Sequence, residues 1–188
     1  MSETGPRRSV FRGILRLARF RPEGFGEFVA TRQGFLNSLA PLIAFPLVGG
    51  LLMLAAGGGG DVLTDLLATL VALLAPAVIS AGLAERWGRE EAWLRFGVAF
   101  NWAQWAVPVV AIGLLMAAGV LRRMGLGEPQ AAIVVLFAIA GYGLSLHWFL
   151  VRYGLGLSRG RATLMVVALN MGTVALVMAP RVIASVLQ

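Results

Sequence analysis

The sequence predicts an all-α fold: a polytopic transmembrane bundle of five helices, preceded by an amphipathic interfacial helix. The 188 residues are 59% hydrophobic and 13% charged, with a mean hydropathy of +0.82, whereas soluble domains carry about 25% charged residues. Five apolar stretches are each long enough to cross about 30 Å of hydrocarbon as a helix. The connections between them are too short to fold alone.

The first 33 residues form a basic segment that we expect to lie in the cytoplasm. Within residues 9–20, apolar side chains recur at helical spacing on one face, at Phe11, Ile14, Leu15 and Ala18, with arginines on the other. Such a helix lies in the membrane interface, and the proline at 22 should end it. We expect four arginines to contact anionic lipid headgroups: Arg8, Arg12, Arg16 and Arg19. The helix either anchors the N-terminus or senses lipid and docks a partner.

Residues 34–188 are predicted to form the membrane domain. Its spans lie at about 35–56, 62–84, 97–121, 130–151 and 162–187. The glycines at 57–60 suit a tight turn between the first two spans. Small residues spaced four apart permit close helix packing, and they occur at Gly113/Ala117, Gly141/Ser145 and Ala168/Gly172.

The arginines predict the orientation of the bundle. All 16 basic residues are arginine, and 13 of them precede the first span or follow the second and fourth spans. The positive-inside rule then places the N-terminus in the cytoplasm and the C-terminus in the periplasm. The Arg122-Arg123 pair opposes this orientation but is outnumbered. The lysine-free, alanine- and glycine-rich composition is typical of a GC-rich bacterial genome, so we expect a bacterial inner-membrane protein.

Four polar residues within the spans form the candidate site: Asn101, Gln104, His147 and Asn170. All four are predicted in the cytoplasmic half of the membrane, the first two in the opening turns of the third span. Polar groups in lipid are costly and need partners. The cluster is therefore either a hydrophilic cavity open to the cytoplasm or a set of interhelical hydrogen bonds, worth about 0.6 kcal/mol each. Pro108, on the same face, should free the carbonyl of Gln104.

A second candidate lies on the periplasmic side. Asp65 falls about one turn inside the second span, and Arg181 falls near the end of the fifth. The two form a candidate outer ion pair, with Arg122 as the other possible partner of Asp65. Such a pair is either an ion gate, a structural pair or two snorkelling side chains.

The composition excludes several chemistries. Without cysteine there is no disulfide or thiolate metal site, and without lysine there is no Schiff base. The single histidine cannot supply a His-Glu-x-x-His zinc site, and no serine or aspartyl dyad is evident. We therefore predict no catalytic, cofactor-binding or metal-binding residues, no cofactor and no enzymatic activity. The net charge of +7 resides in arginines between spans, so we predict no nucleic-acid partner.

The approach to the first span has a recognisable layout. The string Arg-Pro-Glu-Gly-Phe at 21–25 precedes a span that contains Pro41 and Pro46. With its cytoplasmic N-terminal segment and five closely spaced spans, the chain resembles the Yip1-domain family of membrane proteins. Gly141 begins a string similar to that family's Gly-Tyr-x-x-x-Pro pattern, but Leu146 replaces the proline, and the Asp-Leu-Tyr-Gly-Pro string of eukaryotic members is absent. The resemblance implies a non-enzymatic protein that works through lipids or partner proteins, and it transfers no site residues.

Two functions remain open from the sequence. The first is a scaffold or accessory subunit that contacts anionic lipid headgroups and either a membrane-protein partner or further copies of itself. The second is a small oligomeric transporter or channel with a polar cavity open to the cytoplasm.

Overall fold

The structure, a computed structural model, describes the backbone of residues 9–186 and the side chains of residues 9–179. All regular secondary structure in that part is helical, which confirms the predicted all-α class. The elements in chain order are α1 (Val10–Ala18), a 3₁₀ helix (Pro22–Glu27), α2 (Arg32–Ala55), α3 (Gly60–Arg86), α4 (Glu90–Ala103), α5 (Ala106–Arg123), α6 (Glu128–Gly154) and α7 (Arg159–Val186).

Five helical segments are long and apolar enough to cross a membrane: α2, α3, α4 with α5, α6 and α7. The predicted five-span bundle is therefore confirmed, although the helices extend beyond the apolar stretches. The largest difference is in the third span, where α4 begins at Glu90 rather than at 97. Glu90 and Glu91 occupy its first turn, where carboxylates interact favourably with the positive end of the helix dipole. Hydropathy does not detect such a charged helix start.

The N-terminal segment folds into α1 and the 3₁₀ helix, which pack against each other. Ser9 caps α1, since its hydroxyl accepts a hydrogen bond from the backbone N–H of Arg12 at 3.4 Å. The chain reverses at Phe20, whose φ is 57°, and Pro22 begins the 3₁₀ helix. The buried residues of α1 are Gly13 and Leu17. The expected helix is present, and Ile14 and Ala18 of its predicted apolar face pack against the core beside Leu17.

The α2–α3 hairpin shows how closely the spans approach. Thr31 caps α2 by accepting a hydrogen bond from the N–H of Gly34 at 3.0 Å. After α2 ends, Gly57 adopts a φ of 91°, a conformation that favours glycine. A Cβ atom on Gly50 would lie 3.0 Å from the Leu66 side chain, so the two helices are in close contact there.

The main hydrophobic core lies at one end of the bundle. We call this the arginine-rich end: it carries α1, the 3₁₀ helix, and the α3–α4 and α6–α7 connections. Every residue of α4 from Phe96 to Asn101 is buried, because α1, α2, α3 and α6 all pack around this helix. The fully buried core side chains include Leu17, Phe96, Leu146, Leu150, Leu155, Leu157 and Met165.

Outside this core, the contacts divide the other spans into two groups, α5 with α6 and α2 with α3 and α7, although α6 also contacts α7. α5 packs along α6 through Ala118, Ala131 and Val135, while α3 packs against α2 and α7. Among the described residues, α5 makes no extensive contact with α2, α3 or α7. Large apolar side chains are exposed on both groups, for example Leu52 and Phe137. Both groups therefore offer apolar surface to lipid or to another protein.

Candidate functional site

The third span is interrupted beside the predicted polar cluster. α4 ends at Ala103 and α5 begins at Ala106. Pro108 has no N–H to bond the carbonyl of Gln104, and that carbonyl instead accepts a hydrogen bond from the N–H of Val107 at 3.2 Å. The sequence predicted a disturbed carbonyl at Gln104, and the structure adds an interruption of two residues, Gln104 and Trp105, which keep right-handed helical dihedral angles.

A cavity of about 300 Å³ lies next to this interruption. All four residues of the predicted cluster line it: Asn101, Gln104, His147 and Asn170. Thr173 and seven apolar residues from α2, α3, α4 and α7 complete the lining, which contains no charged residue. The structure thus brings together side chains from α4, the interruption, α6 and α7.

The cavity lies deeper along two helices than the sequence indicated. Asn101 is 11 residues from the start of α4 at Glu90, and Asn170 is 11 residues from the start of α7 at Arg159. Both are about three helical turns, or about 16 Å, from the arginine-rich end. The expected position of Asn101 in the opening turns was wrong because α4 begins earlier than its apolar stretch.

Two hydrogen-bonded contacts hold one side of the cavity. The Asn101 side chain is buried, and its Nδ2 donates to the Ser38 hydroxyl at 3.0 Å. Ser38 in turn donates to the carbonyl of Phe35 at 2.7 Å, so α4 is tied to α2. Gln104 meets His147, with Nε2 of His147 lying 3.3 Å from the Gln104 Nε2 and 3.5 Å from its Oε1. The imidazole accepts from the amide in one tautomer and donates to it in the other.

Three buried polar atoms at or beside the cavity have no hydrogen-bond partner among the described residues. They are Nδ1 of His147, Oγ1 of Thr173 and Nε1 of Trp105. Asn170, one turn before Thr173, donates from its Nδ2 to the Val166 carbonyl of its own helix at 2.8 Å. A buried polar group without a partner costs about 1–3 kcal/mol, so water or a ligand that bonded these atoms would be stabilised.

The surroundings of the cavity differ on its two sides. Toward the arginine-rich end lie buried apolar side chains, including Phe96, Leu150 and Met165. Beyond the cavity, α5 packs along α6 and makes no extensive contact with α2, α3 or α7 among the described residues. The expected opening of the cavity to the cytoplasm stays a prediction. Residues of α2, α3 and α7 on one side and His147 of α6 on the other line the cavity.

The N-terminal arginines divide into different roles. Arg16 forms an ion pair with Glu27, at 2.8 Å between Nη1 and Oε1, and Nη1 of Arg12 lies 3.9 Å from the same oxygen. Oε2 of Glu27 accepts a hydrogen bond from the backbone N–H of Ser9 at 3.0 Å. Glu27 is buried, and it therefore holds α1 against the 3₁₀ helix. Arg16, expected to contact lipid headgroups, bonds Glu27 within the protein while its side chain stays 40% exposed, so its headgroup contact also stays a prediction.

The other predicted lipid contacts remain predictions. Arg12 and Arg19 are exposed, and Arg8 lies outside the described residues. The predicted apolar face of α1 is divided: Ile14 and Ala18 pack against the core, whereas Phe11 is 75% exposed and Leu15 is also exposed. An exposed face with both apolar and arginine side chains suits the membrane interface.

The part of the chain that the structure describes does not include both side chains of the candidate outer ion pair, Asp65 and Arg181. The Arg181 side chain falls outside the described side chains, whereas Asp65 lies on an exposed part of α3. Arg122, the alternative partner of Asp65, instead lies 3.3 Å from Glu128 across the α5–α6 connection, from Nη2 to Oε2. The Asp65–Arg181 pair therefore stays a prediction.

Sequence reasoning did not identify Glu27 or Thr173 as part of these networks. Thr173 carried a signal, because it follows Asn170 by three residues and shares its helix face. Glu27 carried a weaker signal, because it is an acidic residue between phenylalanines at 25 and 28. Within residues 9–179, no group of three or more histidine, aspartate or glutamate side chains could hold a metal ion.

The chemistry that the cavity offers is hydrogen bonding without charge. It holds amide donors and acceptors, one hydroxyl and one imidazole. No protein-family model matches the chain, and no curated protein or solved structure matches it at a significant level. The resemblance to the Yip1-domain layout therefore stays a prediction from the sequence.

Proposed function

We propose that this protein is a non-enzymatic scaffold or accessory subunit of the bacterial inner membrane. It acts through contacts with anionic lipid headgroups and with another membrane protein or further copies of itself. Its N-terminus lies in the cytoplasm and its C-terminus in the periplasm. This orientation is supported by the 13 of 16 arginines that lie before α2, at its start, or near the α3–α4 and α6–α7 connections.

The docking role rests on the use of small residues along the helices. A Cβ atom on Gly172 would lie 2.8 Å from the Ile79 side chain, so the Ala168/Gly172 pair mediates the internal packing of α7 on α3. The glycines of the other two pairs have open space beside them: a Cβ atom on Gly113 or Gly141 would meet no atom within 4 Å. Since such stripes promote close packing between membrane helices, α5 and α6 offer surfaces for a partner helix.

The absence of cysteine makes this proposal directly testable. The variant Ala117→Cys, labelled with a benzophenone maleimide, places a photoreactive group on the exposed α5 stripe in native membranes. The matched control is Gly119→Cys, which is also exposed but lies about 240° around α5 from Gly113. We expect one cross-linked product of defined mass from the Ala117 probe and only weak, diffuse labelling from the Gly119 probe.

A third variant tests whether close packing matters. Adding Gly113→Leu to the Ala117 probe fills the stripe and should abolish the product, whereas adding Gly119→Leu should not. Equal labelling from both probe positions, or a product that survives Gly113→Leu, would contradict docking through α5.

The second candidate function is a small oligomeric transporter or channel, and the polar cavity is the observation that favours it. The uncharged lining and the packed core toward the arginine-rich end leave it with less support. Stopped-flow swelling of proteoliposomes in glycerol tests it. A transporter would accelerate swelling, and the double variant Asn101→Leu/Gln104→Leu would remove the acceleration; a scaffold would match empty liposomes.

A further inference from the structure

We propose that the cavity binds the head of an uncharged amphiphile whose apolar tail extends between the two helix groups. The inference does not rest on the scaffold role, because it concerns the interior of the bundle and not the α5 and α6 stripes.

The polar atoms of the cavity set the chemistry of the head. Nδ1 of His147 and Oγ1 of Thr173 are buried without partners in the described part of the protein, and both residues line the cavity. The amide of Gln104 adds a donor and an acceptor beside them. Each unpartnered atom gains a hydrogen bond if the head carries hydroxyl or carbonyl oxygens.

The lining also excludes a charged head. No arginine, aspartate or glutamate lines the cavity, and an ionised group without a counter-ion would pay an uncompensated desolvation cost. A phosphate or carboxylate head is therefore disfavoured. The cavity volume of about 300 Å³ is at the lower end for small-molecule sites, so the head is small: a single ring or a glycerol unit.

The position of the cavity accounts for the tail. The lining includes the exposed Val174 and the half-buried Leu42 and Leu73, and beyond the cavity α5 makes no extensive contact with α2, α3 or α7 among the described residues. Water in an apolar gap between these helices would lack the two to four polar partners it needs. An alkyl or isoprenoid chain would cover the exposed apolar surface while its head occupies the polar end.

Two kinds of membrane molecule share this chemistry: quinones and neutral glycerolipids. The first probe is a benzoquinone with a decyl tail, and the second is monoolein. An anionic lysophosphatidylglycerol is the charged comparison. Each is titrated against the full-length protein in detergent micelles, and the bound fraction is read by native mass spectrometry. We expect saturable binding of one molecule of an uncharged probe per chain, with the anionic lipid much weaker.

Matched variants locate the site. Thr173→Val keeps the side-chain shape and removes one unpartnered hydroxyl, so we expect about three- to tenfold weaker binding. Thr64→Val is the control, because the Thr64 hydroxyl bonds the Gly60 carbonyl of its own helix, away from the cavity. Asn170→Leu serves as a second cavity variant if Thr173→Val does not fold. Thermal unfolding of each variant separates lost binding from lost structure.

The outcomes are distinct. Binding of the quinone alone or of monoolein alone supports the proposal and assigns the source. If neither probe binds saturably, the cavity holds only water, and the proposal is overturned. Binding that both cavity variants leave unchanged, or that the anionic lipid matches, also overturns it. None of these results alters the cross-linking expected from the α5 stripe.

Discussion

Glu27 is the residue whose removal should most clearly loosen the N-terminal segment. Its buried carboxylate bonds the backbone N–H of Ser9 with one oxygen and the guanidinium of Arg16 with the other. The variant Glu27→Gln keeps the side-chain size but removes the charge. Both groups that bond the carboxylate are hydrogen-bond donors. The amide that replaces it has one oxygen acceptor and one NH₂ donor, so its NH₂ group would face one of those donors without a hydrogen bond.

The magnitude follows from these contacts. Hydrogen bonds to charged groups contribute about 1.5–3 kcal/mol each, but the side chain of Arg16 is 40% exposed, and solvent weakens such pairs. We therefore take the low end, about 1.5 kcal/mol, for the loss in docking free energy of α1. That corresponds to an opening equilibrium about tenfold larger.

Amide hydrogen exchange of α1 measures this change directly, because local opening exposes the helix amides. We expect exchange across Val10–Ala18 to accelerate about tenfold in Glu27→Gln, while exchange in α4 stays the same. Glu23→Gln is the matched control, since Glu23 is exposed on the same 3₁₀ helix. Exchange in α1 that changes less than about twofold, or equally in both variants, would refute the clamp.

Three further predictions concern packing and hydrogen bonds, with stability measured by detergent unfolding. Gly154→Ala should lower the free energy of unfolding by about 1–3 kcal/mol, because its Cβ atom would lie 2.9 Å from a phenylalanine ring. Gly160→Ala has open space around it and should not lower the free energy of unfolding. Asn101→Leu should cost less than about 1 kcal/mol, given the modest worth of interhelical bonds in membranes; a loss above about 2 kcal/mol would contradict this. Tyr142→Phe removes the hydrogen bond from the tyrosine hydroxyl to the Ala18 carbonyl, so exchange at the end of α1 should accelerate about fivefold, and an unchanged rate would show that this bond contributes nothing.

Hydropathy predicted the spans because lipid selects for apolar residues over about 20 positions. It placed the start of α4 too late, since Glu90 and Glu91 stabilise the first turn electrostatically and not by burial. Depth estimates depended on those boundaries. The position of Asn101 therefore shifted, although its shared cavity with His147 could be anticipated from their common half of the bundle.

The arrangement of the helices could not be read from the sequence. An alanine, glycine and leucine surface is equally compatible with lipid and with a neighbouring helix. Nothing in the pattern therefore indicated that α3 would pack on α7 or that α5 would pack mainly on α6. The partners of Glu27 depend on a chain reversal at Phe20. Thr173 was missed because hydroxyls within helices commonly bond their own backbone.

The proposed scaffold role is tested most directly by the mass of the protein in its native membrane. Vesicles of that membrane, analysed by native mass spectrometry after gentle extraction, report what accompanies the 19.9 kDa chain. We predict a complex of defined stoichiometry that contains a partner protein or further copies of this chain. Isolated 19.9 kDa chains carrying only lipid, under extraction conditions that preserve other complexes of the same membrane, would contradict it.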